Sequence, residues 1–232
     1  MIVPLLPGAG TDVVARTFTA ALALGLGQPI VVENKAGAAT TLGTNFVAKS
    51  APDGLTLLVA TTSTLSVLPN VQKPPYDTLK DLLPIAAFSI SPFVVVVAAD
   101  SRFKALPDLI AAARAEPGKL TFASSGTGTM THMVVELLSV VAKMNMVHIP
   151  YKGVTGAYAD VIGGRVDLLA DAPASTLPQI RGNRMRALAL TAAQRSAMLP
   201  GVPTVGELGL AGAEADFITG LLAPAGTPGG AG

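Results

Sequence analysis

The chain has 232 residues and carries 16 Lys and Arg against 15 Asp and Glu, a net charge of +1 with no basic cluster interleaved with aromatics, which excludes nucleic acid as an expected partner. It contains no cysteine, so disulfides and thiolate metal sites are excluded while the compartment stays open. A chain of this length buries roughly 70–75% of its unfolded surface, enough for one large or two small domains.

Apolar runs rich in Val, Ile and Leu alternate with helical patterns, which predicts an α/β protein with largely parallel sheets. The start, Met1-Ile2-Val3-Pro4, has neither a basic n-region nor a cleavage site, so no secretory signal is expected within the chain. Strands are predicted at Ile2 to Leu6, Ile30 to Glu33, Leu55 to Ala60, Phe93 to Ala99, Leu120 to Ala123, Met146 to Ile149, Val166 to Ala170 and Arg186 to Thr191. Asp12 is the expected N-cap of the first helix, whose core face is Val14, Phe18, Ala21 and Leu22 and which ends near Gly25 or Gly27. The charge-free stretch Leu82 to Ala99 raises the transmembrane question, but Pro84, Ser89, Ser91 and Pro92 interrupt it. Its aliphatic part, Phe93 to Ala99, reads as a buried parallel strand and the whole stretch as soluble core, so no membrane span is predicted. Pro107-Asp108 opens a helix that Pro117-Gly118 closes. The helix after Thr129 turns Val134, Leu137, Leu138 and Val141 inward and Glu136, Ser139 and Lys143 outward. Further helices follow Lys152-Gly153 and Ala174-Ser175, and the patternless tail Thr227 to Gly232 is expected to be mobile.

Gly/Ser/Thr-rich turns at Pro7 to Asp12, Ala36 to Thr41 and Ser124 to Thr129 each leave a strand-like run and open a helix. The first N–H groups of a helix lack internal partners and carry the positive end of its dipole, so such turns can seat a carboxylate or phosphate. They fall at the carboxyl ends of predicted strands, where open α/β sheets bind ligands. Each can equally be a tight turn with a helix cap. No P-loop ending and no G-x-G-x-x-G follows a strand, so no nucleotide cofactor is expected. His132 and His148 belong to no metal motif, and no metal is expected. The G-x-S-x-G elbow is absent, and a hydrolase would have to pair Ser125 with one of these histidines. Tyr151 and Asp171 follow strands; Tyr151 walls a pocket or packs on its rim, and Asp171 orients a hydroxyl or water or bonds within its loop. Arg165, Arg181, Arg184 and Arg186 read as a solvated face.

Blocks along the chain resemble the Bug-type receptors, the extracytoplasmic solute-binding proteins of tripartite tricarboxylate transporters. They are Pro7 to Arg16, Val31 to Ala38, Ala51 to Leu58, Ala123 to Gly128, His148 to Gly153 and Leu199 to Glu207, in the family's order. The resemblance implies an α/β, two-domain, periplasmic-binding-protein-like (type II) fold with a hinged interdomain cleft. Its first lobe is residues 1–92 and 217–232 and its second 93–216, with crossings near Phe88 to Phe93 and Asp216 to Gly220. It implies a periplasmic binding protein, not an enzyme, that closes on a small organic acid, a dicarboxylate or aromatic carboxylate, and is then presented to membrane transporter subunits. Carried over by position, the first-lobe site residues are Leu6, Thr11, Asp12, Ala38, Ala39, Thr61, Thr62 and Ser63. Those of the second lobe are Ser125, Gly126, Thr127, Thr129, His132, Tyr151 and Asp171. Amides, hydroxyls and ordered waters hold the carboxylate in the family, without a dedicated Arg clamp. This chain departs from the family at Ala39-Thr40, where a Gly-Gly pair is usual, and at Leu6 and Leu55, where aromatics are common and pocket shape is expected to change. Members continue beyond the Ala223 to Pro228 segment, so the resemblance implies a fold whose C-terminal part is truncated, with apolar sheet surface exposed. The alternatives are a small hydrolase using Ser125 and a truncated relative that binds nothing.

Overall fold

The computed structural model of the chain describes residues 1–228; the final four residues of the tail expected to be mobile lie outside the described residues. The chain divides into two compact units, Met1–Ile90 with the segment from Ile218, and Ser91–Phe217. In chain order, the first unit holds β1 (Ile2–Val3), α1 (Gly10–Leu26), β2 (Glu33–Asn34), α2 (Thr41–Ala48), β3 (Leu58–Thr61) and α3 (Leu68–Val71), and β4 (Leu82–Pro92) leads out of it. The second unit holds β5 (Val94–Ala98), α4 (Leu106–Ala115), β6 (Thr121–Ser124), α5 (Met130–Ala142), β7 (Val147–Pro150), α6 (Val154–Ile162), β8 (Leu168–Asp171), α7 (Pro173–Arg181) and β9 (Met185–Leu190). The chain re-enters the first unit through β10 (Asp216–Pro224).

The first unit is a five-stranded sheet in the order β2-β1-β3-β10-β4, with β1 parallel to β2 and β3 and β10 antiparallel to β3. Successive strand residues point to opposite faces, so alternate positions build two cores. Ile2, Leu58, Ala60 and Leu222 pack with Val47 of α2 and Leu82, while Val3, Val59 and Leu221 pack with Met1 and Ala15 of α1. β1 ends sooner than the sequence predicts because Pro4 has no N–H to continue the ladder. β2 lies at Glu33–Asn34, later than the predicted Ile30 to Glu33, with Ile2 opposite Glu33 and Val3 opposite Asn34. β3 starts late because Asp53 accepts the Leu55 N–H at 2.9 Å in a turn.

The face of α1 also differs from expectation. Its buried residues are Gly10, Thr11, Asp12, Ala15 and Thr19; Phe18 and Leu22 are half-buried and Ala21 is exposed. Phe18 stacks on Phe88 of β4 with ring centroids 4.1 Å apart. The helix ends as expected, with Gly27 in the left-handed conformation (φ 64°) as C-cap. Leu82 to Pro92 corrects the core expectation: it is a strand at the edge of its sheet, and Leu83, Ile85 and Ile90 are exposed. Charge-free sequence marks apolar character, not burial, and an edge strand has a neighbour on one side only.

The second unit is a five-stranded sheet in the order β7-β6-β8-β5-β9. β6 is parallel to β7 and β8, as expected, but β5 is antiparallel to both of its neighbours. The run Val94 to Val97 is fully buried, so it is apolar without interruption whichever way it points. Helices α4 and α5 begin where expected, whereas α7 begins at Pro173, ahead of the Ala174-Ser175 pair that it was expected to follow. Along α5, Val134, Val135 and Leu138 are buried, and Ser139, expected outside, is buried too, while Val140 is exposed.

Candidate binding turns

In the first unit β2, β1 and β3 run parallel and adjacent, so the turns that follow them share one edge of the sheet. α1 starts at Gly10 with Ala9 as its N-cap, so Asp12, expected there, lies inside the first turn. Its side chain nevertheless closes the turn. Oδ2 accepts the Gly8 N–H at 2.9 Å and Arg16 Nε at 3.0 Å, and Oδ1 accepts Asn34 Nδ2 at 2.9 Å. Asn34 Nδ2 also donates to the Leu5 carbonyl at 2.9 Å, and Arg16 Nη2 donates to Asn34 Oδ1 at 2.9 Å. Burial pushes the Asp12 carboxyl up, but the hydrogen bonds from Arg16, Gly8 and Asn34 outweigh it and hold it below its ordinary value. The carboxylate is 4% exposed and committed to this frame.

The amides of Gly10, Thr11 and Asp12 precede the first helical hydrogen bond, from Val13 N–H to the Ala9 carbonyl at 3.1 Å. Beside them the Thr11 hydroxyl is buried, its residue 1% exposed, and has no hydrogen-bond partner among the described residues. Leu6 is half-buried and accepts the Ala9 N–H through its carbonyl at 3.2 Å. Leu55 is 81% exposed and precedes β3, whose carboxyl end is Thr61, so it cannot shape a pocket at the carboxyl-end turns as expected.

Ala38, Ala39 and Thr40 have φ of 45°, 51° and 82°, three successive left-handed residues without a glycine among them. For such residues the left-handed region costs about 1–2 kcal/mol each. The turn that Gly-Gly would favour is thus kept at a cost in strain. It is held by Thr40 Oγ1, 3.2 Å from Thr64 Oγ1, which lies 3.4 Å from Thr61 Oγ1, and by the Thr44 hydroxyl donating to the Thr40 carbonyl at 3.0 Å. Gly43 supports the same edge, since a Cβ there would lie 2.7 Å from the Lys35 carbonyl oxygen and 2.9 Å from Pro4 Cβ. The structure therefore brings Thr61 together with the Ala38-Ala39-Thr40 turn. Ser63 is buried at the start of a single π turn, Ser63–Val67, a form enriched at functional sites. Thr62 is occupied elsewhere: its Oγ1 accepts the Ile218 N–H at 3.0 Å, and it lines an apolar groove with Leu65, Ala86 and Gly220.

In the second unit the parallel strands β7, β6 and β8 likewise end on one edge, at Pro150, Ser124 and Asp171. The Ser124 to Thr129 turn does not present the run of free amides expected of it. Ser125 N–H donates to Thr131 Oγ1 at 2.9 Å, Gly126 N–H to Ser124 Oγ at 3.1 Å, Gly128 N–H to His132 Nδ1 at 3.2 Å and Thr129 N–H to the Gly126 carbonyl at 3.2 Å. The turn satisfies itself because Ser, Thr and His acceptors lie within a few residues of the donors on either side. Thr127 is exposed at its tip, and Thr129 Oγ1 donates to the Gly126 carbonyl at 2.7 Å.

The hydrolase pairing is also corrected. Ser125 Oγ lies 2.8 Å from Thr131 Oγ1, and the serine facing an imidazole is Ser124, fully buried, 2.6 Å from His148 Nε2. The His132 and His148 rings stack with centroids 3.9 Å apart, and His148 stacks in turn on Phe122 at 4.9 Å. Asp171 is buried and accepts Tyr158 Oη at 2.6 Å and Ser175 Oγ at 2.5 Å. It orients protein hydroxyls, and burial pushes its carboxyl up against those hydrogen bonds. Tyr151 donates its hydroxyl to Asp160 at 2.5 Å, and its N–H donates to the Ser124 carbonyl at 3.0 Å, tying β7 to the turn. Of the arginines read as a solvated face, Arg165 pairs with Asp160 and the half-buried Arg186 donates to the Ala99 carbonyl at 2.9 Å.

Sequence reasoning took Ser124 only as part of its turn and His148 only as a partner for a hydrolase serine, and it did not single out Arg16, Asn34, Thr64 or Thr131 as side chains of these edges. The i, i+4 spacing of Asp12 and Arg16 was a usable signal. The register Phe122↔His148, which sets His148 beside the Ser124 turn, becomes visible only once β6 and β7 pair.

Two α/β units, each a five-stranded sheet whose parallel strands end in polar turns, define a solute-binding protein of the type II periplasmic-binding-protein fold. The chain belongs to the tripartite tricarboxylate transporter family receptors (TctC), whose sequence pattern matches residues 14–230. It is 40% identical over 234 residues to protein BugT of Bordetella pertussis (strain Tohama I), covering 98% of this chain and 70% of BugT. The structure of periplasmic binding protein BugD superposes with a TM-score of 0.93 at 33% identity, covering 99% of this chain and 77% of BugD. MatC from Rhodopseudomonas palustris, with bound malate, matches with a TM-score of 0.92 at 33% identity, over 98% of this chain and 78% of MatC. Rpa4515 of R. palustris, with adipate, matches with a TM-score of 0.93 at 29% identity, over 98% and 77%. This is a family of periplasmic solute-binding receptors, not of enzymes. Among the described residues no helix is long and apolar enough to cross a membrane.

Proposed function

We propose that the chain captures a small organic carboxylate, a dicarboxylate or an aromatic acid, in the periplasm and presents it to the membrane subunits of a tripartite transporter. The observation that carries this reading is the start of α1, where the amides of Gly10 to Asp12 stand ahead of the first helical hydrogen bond beside the unpartnered, buried Thr11 hydroxyl. An unpaired buried hydroxyl costs about 1–3 kcal/mol, a cost a bound acceptor removes. Asp12 already engages Arg16, so the seat consists of neutral donors. Charge-assisted bonds of roughly 1.5–3 kcal/mol each let two or three such donors hold a carboxylate without a buried Arg. Malate in MatC and adipate in Rpa4515 support a dicarboxylate. On this reading residues 1–92 with 217–232 and residues 93–216 act as two lobes that both donate to the ligand.

The test is a thermal shift and calorimetry series with malate, adipate and nicotinate. Ligand at 100 times Kd adds roughly 2.7 kcal/mol of stability. Thr11→Val is expected to weaken binding about tenfold while leaving the unliganded melt unchanged or higher, because it deletes an unsatisfied hydroxyl. Silence across the series refutes carboxylate capture and favours a relative that binds nothing.

A further inference from the structure

Gly128 N–H donates to His132 Nδ1 at 3.2 Å. An N–H only donates, so Nδ1 is bare and the ring proton sits on Nε2, 3.5 Å from Glu136 Oε1. The ring is not free to swing aside. It lies 20° from parallel to His148 at 3.9 Å and 11° from parallel to Phe122 at 5.9 Å, and its side chain is 12% exposed. A carboxylate oxygen that took the Gly128 N–H would therefore face the Nδ1 lone pair. With a proton on Nδ1 the repulsion becomes attraction: Gly128 N–H and Nδ1–H are then two donors converging on one oxygen, and Glu136 balances the new imidazolium charge.

We propose that His132 couples proton uptake to carboxylate capture, one proton from solvent binding Nδ1 as the ligand displaces Nδ1 from the Gly128 amide. This rests on the carboxylate-binding reading above. The titratable groups facing the ring are Glu136, on α5 itself, and His148 on β7, while β6 presents Phe122. Burial lowers His132 below its ordinary value against the pull of Glu136, and burial together with the His132 charge holds His148 down to about 4. Both rings are then neutral in the free protein at neutral pH, and His132, the ring with the Glu136 carboxylate 3.5 Å from its Nε2, is the one placed to hold the added charge.

Calorimetry of the whole chain with malate and adipate, in buffers of matched pH and different ionisation enthalpy from about pH 5.5 to 8, reads the uptake directly. The expected result is up to about one proton bound per ligand and a Kd that falls by up to about tenfold per pH unit of acidification. His132→Gln abolishes the uptake and flattens the profile. Glu136→Gln, at a half-exposed helix position, moves the window to lower pH and serves as the second reading should His132→Gln fold poorly. Binding with no uptake in the parent, uptake that survives His132→Gln, or a window unmoved by Glu136→Gln overturns the coupling and leaves carboxylate capture standing. No binding at any pH overturns the capture reading instead.

Discussion

Removing the Asp12 carboxylate is expected to loosen the turn from β1 to α1. The wild-type side chain is 4% exposed and accepts from Gly8 and Asn34 at 2.9 Å and from Arg16 at 3.0 Å. Buried hydrogen bonds to a charged group are worth roughly 1.5–3 kcal/mol each, so the Gly8 and Asn34 bonds together set a scale of about 3–6 kcal/mol. Arg16 is half exposed, and solvent screening reduces its ion pair to about 0.5 kcal/mol. Water entering the truncated site returns part of the loss, leaving a deficit of about 3 kcal/mol for Asp12→Ala and a fall in Tm of roughly 6–12 °C. Urea and thermal unfolding at neutral pH measure it. Because the native carboxyl is held below its unfolded value, its contribution is complete above about pH 4 and is lost as pH falls through the native pKa. The deficit of the variant therefore closes in acid. A melt within a degree of wild type at neutral pH, or a deficit that persists unchanged in acid, would refute the assignment of the turn's stability to this carboxylate.

Ala39→Gly relieves about 1–2 kcal/mol of left-handed strain and forfeits about 0.4–1 kcal/mol through the freer unfolded chain, so Tm is expected to rise by up to roughly 6 °C; a fall would show the turn unstrained. Asp171→Asn keeps an oxygen for Tyr158 and Ser175 and removes a buried charge. Burial raises the Asp171 pKa, so its stabilising contribution is full below the unfolded pKa and lost as pH rises through the native one. The variant should accordingly match or exceed wild type in melts above neutral pH and lose that pH dependence, and a large drop there would count against the assignment. Leu58→Ala, in the fully buried cluster with Ile2, Val47 and Leu222, should cost about 2–5 kcal/mol in urea unfolding, and a cost under about 1 kcal/mol would contradict the packing.

The central strands were legible in the sequence because burial on both faces leaves uninterrupted Val, Leu and Ile, as at Val94 to Val97 and Leu58 to Ala60. Direction was not, since that run reads alike parallel or antiparallel. β4 escaped because prolines and serines break its pattern and one edge of it is unpaired. β10 escaped for a different reason: Gly220 reads as a breaker, yet a Cβ there would lie 3.0 Å from the Ala86 carbonyl oxygen, so glycine is what lets the strand approach β4.

The polar turns were legible as turns, but composition does not reveal which acceptor an amide has already found. At Ser124 to Thr129 the acceptors are close in sequence, Thr131 and His132, while His148, 24 residues from Ser124, arrives through strand register. At Pro7 to Asp12 the nearby carboxylate, Asp12, takes the Gly8 amide and the Leu6 carbonyl takes that of Ala9, and the Thr11 hydroxyl stays unpaired among the described residues. The two turns therefore start from different states. A ligand at the first gains hydrogen bonds that the free protein lacks, whereas a ligand at the second must exchange with a bond already made. On the proposed reading, affinity resides chiefly at α1, and the sensitivity to conditions resides where His132 has to yield Gly128.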